Sequence, residues 1–201
     1  MEGGCHLGIS GLMKKLVSVF GPSECQPGDE LYESARQLGN YLAQAHFLVV
    51  TGSYEGVMEA AARGAVEAGG KTIGVTAEVY HARGRSVNPY IHKEVRVKSA
   101  VDQLMELLDL ADAYVAIGSS PGTLLEVVTA WDFTKKGFLP RKPIVLVGNG
   151  WHELHQIFST AVYFESYREH LTYAKQPEDA IAHLEQTFGK QQNLPHLDVL
   201  S

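Results

Sequence analysis

The sequence predicts an α/β fold: a single doubly wound, Rossmann-like domain with a mostly parallel sheet and helices on both faces. Three observations carry this. Short apolar runs alternate with amphipathic stretches of helical period from residue 16 almost to the end. The runs are nearly all apolar, as in strands covered on both faces, which is the condition of a parallel sheet. Twenty glycines against eight prolines fit a chain with many tight turns between packed elements.

Taken in order, Leu16 to Phe20 (LVSVF) reads as a buried strand closed by Gly21-Pro22-Ser23. Asp29 caps a helix whose Leu31, Ala35, Leu38 and Leu42 share one face. Phe47 to Thr51 is the next strand, followed by the turn Gly52 to Gly56 and an Ala-rich helix that Gly69-Gly70 stops. Thr72 to Val75 begins a third strand. Residues 77–92 are irregular, and a long loop inside a compact domain is usually functional or mobile. Glu94 to Lys98 alternates as a half-exposed strand, and Val101, Leu104, Met105 and Leu108 mark the apolar face of the helix after it. Ala113 to Ile117 is a strongly buried strand. Gly118 to Thr123 then opens a helix reaching about Lys135, and Pro143 to Val147 is the last central strand. Trp151, Leu154, Phe158 and Val162 give one more helix, Leu171 to Ala174 an edge strand, and Ala180, Ile181, Leu184 and Phe188 a terminal helix. The domain is expected over residues 16–189, between an N-terminal extension (1–15) and a C-terminal tail (190–201).

The length of 201 residues is that of one domain. Seventeen basic against twenty-three acidic residues give a net charge of −6, which argues against a protein that wraps a nucleic-acid backbone. An anionic small molecule is still admissible, because a few backbone amides and one local cation can hold it. Cys5 and Cys25 make neither a disulfide framework nor a metal box. No apolar run approaches the ~20 residues of a membrane span, and the opening residues lack a secretory pattern. A soluble, cytoplasmic chain without membrane or nucleic-acid partners is expected.

In an open parallel sheet, ligands sit outside the carboxyl ends of the strands. Four turns there allow close approach: Gly21-Pro22-Ser23, Gly52 to Gly56, the segment from Thr76, and Gly118 to Thr123. The last pairs glycines with the hydroxyls of Ser119, Ser120 and Thr123 at a helix N-terminus, an arrangement that receives phosphate or carboxylate. A plainer reading is that Ser120 caps the helix and Pro121 occupies its first position. Neither glycine-rich turn has the dinucleotide spacing G-x-G-x-x-G or the Walker pattern. His152 and His155, spaced H-x-x-H, are not a zinc-protease motif, and no metal is expected. Ser119 and Ser120 lack the nucleophile elbow, and Trp131 and Phe133 read as packing or interface residues rather than base-stacking ones.

The ordered set of turns resembles the Lonely Guy (LOG) family, whose members were once labelled lysine decarboxylases. Thr51-Gly52-Ser53-Tyr54-Glu55-Gly56-Val57-Met58-Glu59 stands where that family has GGGxxGLMG, and Gly118-Ser119-Ser120-Pro121-Gly122-Thr123-Leu124-Leu125-Glu126 where it has PGGxGTxxE. Thr129-Ala130-Trp131 and Arg141-Lys142-Pro143 match its continuation, so the resemblance spans roughly residues 16–165. It implies hydrolysis of the N-glycosidic bond of a nucleoside 5′-monophosphate to free base and ribose 5-phosphate, in a homodimer with sites near the interface and with no cofactor. Glu126 would be catalytic, facing the ribose. Gly118, Ser119, Ser120, Gly122 and Thr123 would hold phosphate, and Gly21, Ser23, Gly52, Ser53, Gly56 and Met58 would shape the nucleotide wall. No pyridoxal-binding lysine for a decarboxylase is specified.

The chain departs from that pattern at three places: Gly118-Ser119-Ser120 replaces Pro-Gly-Gly, Thr51-Gly52-Ser53 replaces Gly-Gly-Gly, and the third bears most on the chemistry. Active LOG proteins carry an Arg-Lys pair where counting back from Ala111-Asp112-Ala113 gives Gln103-Leu104. Losing a transition-state cation can cost several powers of ten in rate. Arg96 and Lys98, on one face of a strand, or Arg83 or Arg85 on the long loop, are the candidate replacements. Two readings therefore stand: a nucleotide phosphoribohydrolase, and a carrier or sensor of a nucleotide or similar phosphorylated ligand that has lost catalysis.

Overall fold

In the computed structural model, which describes residues 14–158 and 170–192, seven strands form one sheet. They are β1 (Leu16–Phe20), β2 (Leu48–Thr51), β3 (Thr72–Ala77), β4 (Lys93–Val97), β5 (Ala113–Ile117), β6 (Ile144–Val147) and β7 (Leu171–Ala174). The helices are α1 (Glu30–Gln44), α2 (Val57–Glu67), α3 (Glu78–His81), α4 (Ala100–Leu110), α5 (Pro121–Lys135), α6 (Asn149–Phe158) and α7 (Pro177–Gln192). The strand order is β4-β3-β2-β1-β5-β6-β7, and every pairing is parallel. This is the expected doubly wound, Rossmann-like sheet. β1 to β4 step outward in one direction, and β5 then returns to the free side of β1, with Val17 beside Ala113 and Phe20 beside Ala116. The connections after β1 and β5 leave in opposite directions, which opens a crevice at their carboxyl ends.

Period-two side-chain alternation divides the core into two layers. Val17 and Val19 of β1, with Val49 and Val115, pack under α1, α2 and α7. Phe20, Val50 and Tyr114 face the other way, toward Leu107 and Leu108 of α4, Val127 and Trp131 of α5, and Trp151 of α6. Ser18 occurs inside a buried strand because its hydroxyl donates to the Leu107 carbonyl at 2.8 Å, so no polar group is stranded. α1 and α2 meet through glycines. A Cβ on Gly39 would overlap the Ala61 carbonyl, and one on Gly64 the Arg36 carbonyl. Arg36, reaching Glu33 and Glu67, adds ion pairs along the same seam.

Several local expectations are met and others corrected. Ser120 accepts from the Thr123 amide at 3.2 Å and Pro121 takes the first position of α5. α4 starts with a capping box, in which Ser99 and Asp102 each bond the other's backbone amide. Asp29 occupies the N-cap of α1, yet its carboxylate accepts from the Gln26 amide at 2.8 Å, so it closes the preceding turn instead. Val101 is not on the buried face of α4. It is 68% exposed, and Gln103, Leu107 and Leu108 turn inward. The irregular stretch begins with β3 continuing to Ala77 and the single turn α3. Asn88 then ties it down by donating from its side chain to the Ser53 and Tyr54 carbonyls, at 2.8 and 3.0 Å. α7 runs to Gln192, so Lys190 to Gln192, expected in the tail, are helical. Cys5, Val162, residues 1–13 of the expected extension and residues 193–201 of the tail lie outside the described residues.

Candidate functional site

A cavity of about 210 Å³ opens beside the β1–β5 switch. Gly21 and Ser23 follow β1 into its wall, and Gly52, Tyr54 and Met58 come from the turn after β2 and the start of α2. Tyr80 and Arg85 reach it from the β3–β4 connection, and Gln103 and Leu107 from α4. Ser120, Gly122, Thr123 and Glu126, from the first two turns of α5, complete it. Glycines matter at two points. Gly52 leaves the space that the Met58 thioether and the Gln103 amide approach, and a Cβ on Gly122 would meet only the Ser120 hydroxyl, at 3.8 Å.

Glu126 is the chemically distinctive group. Among the described residues its carboxyl makes no hydrogen bond or ion pair. Burial alone pushes its pKa up to about 8. It is therefore mostly protonated at neutral pH, a hydrogen-bond donor rather than an anion. Gln103 has a different task. Buried in the cavity wall, it donates from Nε2 to the Val75 carbonyl at 2.7 Å and the Gly52 carbonyl at 3.3 Å. It thus stitches the ends of β2 and β3 together, and it carries no charge.

The residues marked in the sequence separate into three groups. Gly21, Ser23, Gly52, Met58, Ser120, Gly122, Thr123 and Glu126 come together around the cavity. Ser53 and Gly56 lie in the packing beside it. Ser53 is fully buried at φ +73°, and its carbonyl is held by Asn88. Gly56, at φ +69°, lets the backbone cross Pro22 and Ser23, where a Cβ would collide. Gly118 and Ser119 instead line a neighbouring cavity of about 550 Å³, with Ser34, Trp151 and Lys175. The turn after β5 therefore stands astride two hollows.

The candidate replacement cations are also sorted. Arg96 forks onto Glu94, at 3.1 and 3.2 Å, on the exposed edge strand β4, and Lys98 is exposed outside the cavity wall. Arg85 does line the cavity. Tyr54, Tyr80 and Leu107 were not marked in the sequence at all. Tyr54 belongs to a glycine turn and could have been found there. Tyr80 sits in an irregular segment whose path no periodicity reveals. Among the described residues there is no group of three or more His, Cys, Asp or Glu side chains placed to hold a metal, and no helix is long and apolar enough to cross a membrane.

A parallel sheet of this winding, with glycine turns gathered around a small polar cavity at its switch, defines a Rossmann-like α/β protein of the SLOG type. The chain belongs to the SLOG cluster4 family, whose model matches residues 14–181. Its fold is similar to that of the molybdenum cofactor binding protein from the phototrophic bacterium Rippkaea orientalis, with TM-score 0.71 and 23% identity over 88% of this chain and 99% of that one. It is also similar to the molybdenum cofactor carrier protein of Chlamydomonas reinhardtii, with TM-score 0.70 and 25% identity over 88% and 99%. An uncharacterized protein of Archaeoglobus fulgidus is 24% identical over 132 residues, 66% of this chain and 83% of that protein.

Proposed function

We propose that this protein binds a nucleoside monophosphate or similar phosphorylated small molecule at the switch-point cavity, and carries or senses it without hydrolysing it. One observation carries the choice: Glu126 stands in the cavity without an ion-pair partner, since Arg85 in the same wall pairs with Glu55, and burial holds its pKa up. Stabilising an oxocarbenium-like centre needs an ionised carboxylate, which this environment disfavours at neutral pH. A neutral carboxyl still donates a hydrogen bond to a ligand hydroxyl or ring acceptor, which is binding chemistry. The likeness in fold to a molybdenum cofactor carrier protein supports the same reading.

A LOG-type phosphoribohydrolase is the second reading, and one observation favours it. A carboxyl with a pKa near 8 is a competent general acid for a departing base. The expected result is binding of AMP or a related monophosphate by calorimetry with no free base by chromatography. Base release that vanishes in Glu126→Ala would establish the hydrolase instead. Absence of both binding and base release with AMP and related monophosphates would overturn both readings.

The proposal includes a homodimer in the cytoplasm. On α5, Leu125 and Val128, on either side of Glu126, are 58% and 39% exposed. A second copy covering this face would bury them next to the cavity. Light scattering should then give twice the chain mass. Cys25 is a free thiol, in keeping with a reducing compartment, and the net charge of −6 speaks against a nucleic-acid partner.

A further inference from the structure

We infer that Arg85 is the ligand's anion clamp: its guanidinium leaves Glu55 and closes on the ligand's phosphate against the amino end of α5. The inference rests on the ligand-binding reading above and names the cation of that site.

Among the described residues lining the cavity, Arg85 is the one strong base and Glu126 the one carboxylic acid. A phosphate entering beside a desolvated acid requires a counter-charge, because stripping water from an unpaired anion is costly. At the opening of α5, Pro121 has no N–H, the Thr123 amide donates to Ser120 and the Thr123 hydroxyl pairs with Ser120 at 3.0 Å, so the helix end supplies the Gly122 amide and its dipole but no full charge. Arg96 is committed to Glu94 on the edge strand, while Arg83 and Lys98 lie outside the wall. Arginine also suits the task chemically, because its planar fork meets two phosphate oxygens at once.

The present contacts of Arg85 are weak. Its Nη1 stands 3.3 Å from Glu55 Oε2, longer than a good charge-assisted bond, and both side chains are exposed. Such a surface pair holds by less than about fivefold. The guanidinium also lies 5.7 Å from the centre of the Tyr54 ring, and Tyr54 lines the cavity itself. The backbone beneath it is fixed. The Arg85 amide donates to the Tyr80 carbonyl at 3.1 Å, and the Asn88 amide donates to the Ser53 carbonyl at 2.9 Å. Only the side chain has to swing, so little chain entropy is lost on closing.

The test is calorimetric titration of the full-length protein with AMP and with inorganic phosphate. Arg85→Ala should weaken AMP binding by about 10- to 100-fold, the scale of hydrogen bonds to a charged group. Arg85→Lys should recover part of the loss, and Arg83→Ala should bind as wild type does. Glu55→Gln frees the guanidinium, so it should strengthen binding, by up to about fivefold. A merely structural ion pair predicts that Arg85→Ala and Glu55→Gln change affinity in the same direction, and that result overturns the inference. So does wild-type affinity in Arg85→Ala. If the wild type itself binds no monophosphate and no phosphate, the ligand-binding reading falls and the clamp falls with it.

Discussion

Replacing Glu126 with glutamine should stabilise the protein and flatten its response to pH. In the folded chain burial lifts the Glu126 pKa from 4.5 to about 8, and no opposing charge offsets it. Unfolding returns the carboxyl to water, where it ionises near its ordinary value. Between these two values the folded state therefore binds more protons than the unfolded state. Stability contributed by the protonated form is complete below about pH 4.5 and is lost as pH rises toward 8. At 1.36 kcal/mol per unit, the ceiling on that loss is ~5 kcal/mol, of which ~3 kcal/mol has gone by pH 7. Water entering the open side of the cavity reduces both figures. Glutamine keeps the shape and has no proton to release. Urea unfolding at pH 5, 6, 7 and 8 should thus show a wild-type free energy that falls across the series relative to Glu126→Gln, with the variant more stable at pH 7. Parallel pH profiles for the two proteins would show that Glu126 is solvated and ionised, and the reasoning behind the carrier reading would fail with it.

The remaining predictions concern the frame around the cavity. Gly64→Ala should destabilise the fold by ~1–3 kcal/mol. Alanine adds up to ~1 kcal/mol of helix propensity, but its Cβ meets the Arg36 backbone carbonyl, which cannot rotate away. A raised urea midpoint would contradict the close α1–α2 contact. Asn88→Ala removes the side-chain donor to the Tyr54 carbonyl and should cost ~1–3 kcal/mol. Limited proteolysis should then cut residues 78–92 faster than in wild type. An unchanged cleavage rate would mean that Asn88 does not hold the segment.

Legibility in the sequence followed how local the determining physics is. β5 was readable because AYVAI is apolar throughout and the structure buries all five residues. The start of α5 was readable because Ser120 and Pro121 act on their own helix terminus. Glu126 could be marked because it stands where the LOG-like signature has its glutamate, one helical turn past Gly122. Gln103 was harder to read. A glutamine on an amphipathic helix looks solvated until the carbonyls of Val75 and Gly52, contributed by other strands, are seen to take its amide. Arg85 could be named as a candidate cation on the long loop but not chosen over Arg83, since its place depends on how residues 78–88 fold back over Tyr54. The expectation for Arg96 overlooked a local signal. Glu94, two residues earlier on the same strand face, was always its nearest partner.

The glycine seam between α1 and α2 divides the molecule by stiffness. Backbone lies against backbone at Gly39 and Gly64, and Arg36 clasps Glu67 across the same seam, so β1, β2 and their turns behave as one block. Gly21, Gly52 and Met58 are carried on that block. Tyr80 and Arg85 are carried instead on the β3–β4 connection, held to the frame by Asn88 and by the contact of Tyr80 with the Tyr54 ring. Folding information and ligand preference thus occupy different stretches of chain. A change of charge within residues 78–87 therefore bears on the ligand through Arg85, while the β1–β2 block that carries Gly21, Gly52 and Met58 is held by contacts of its own.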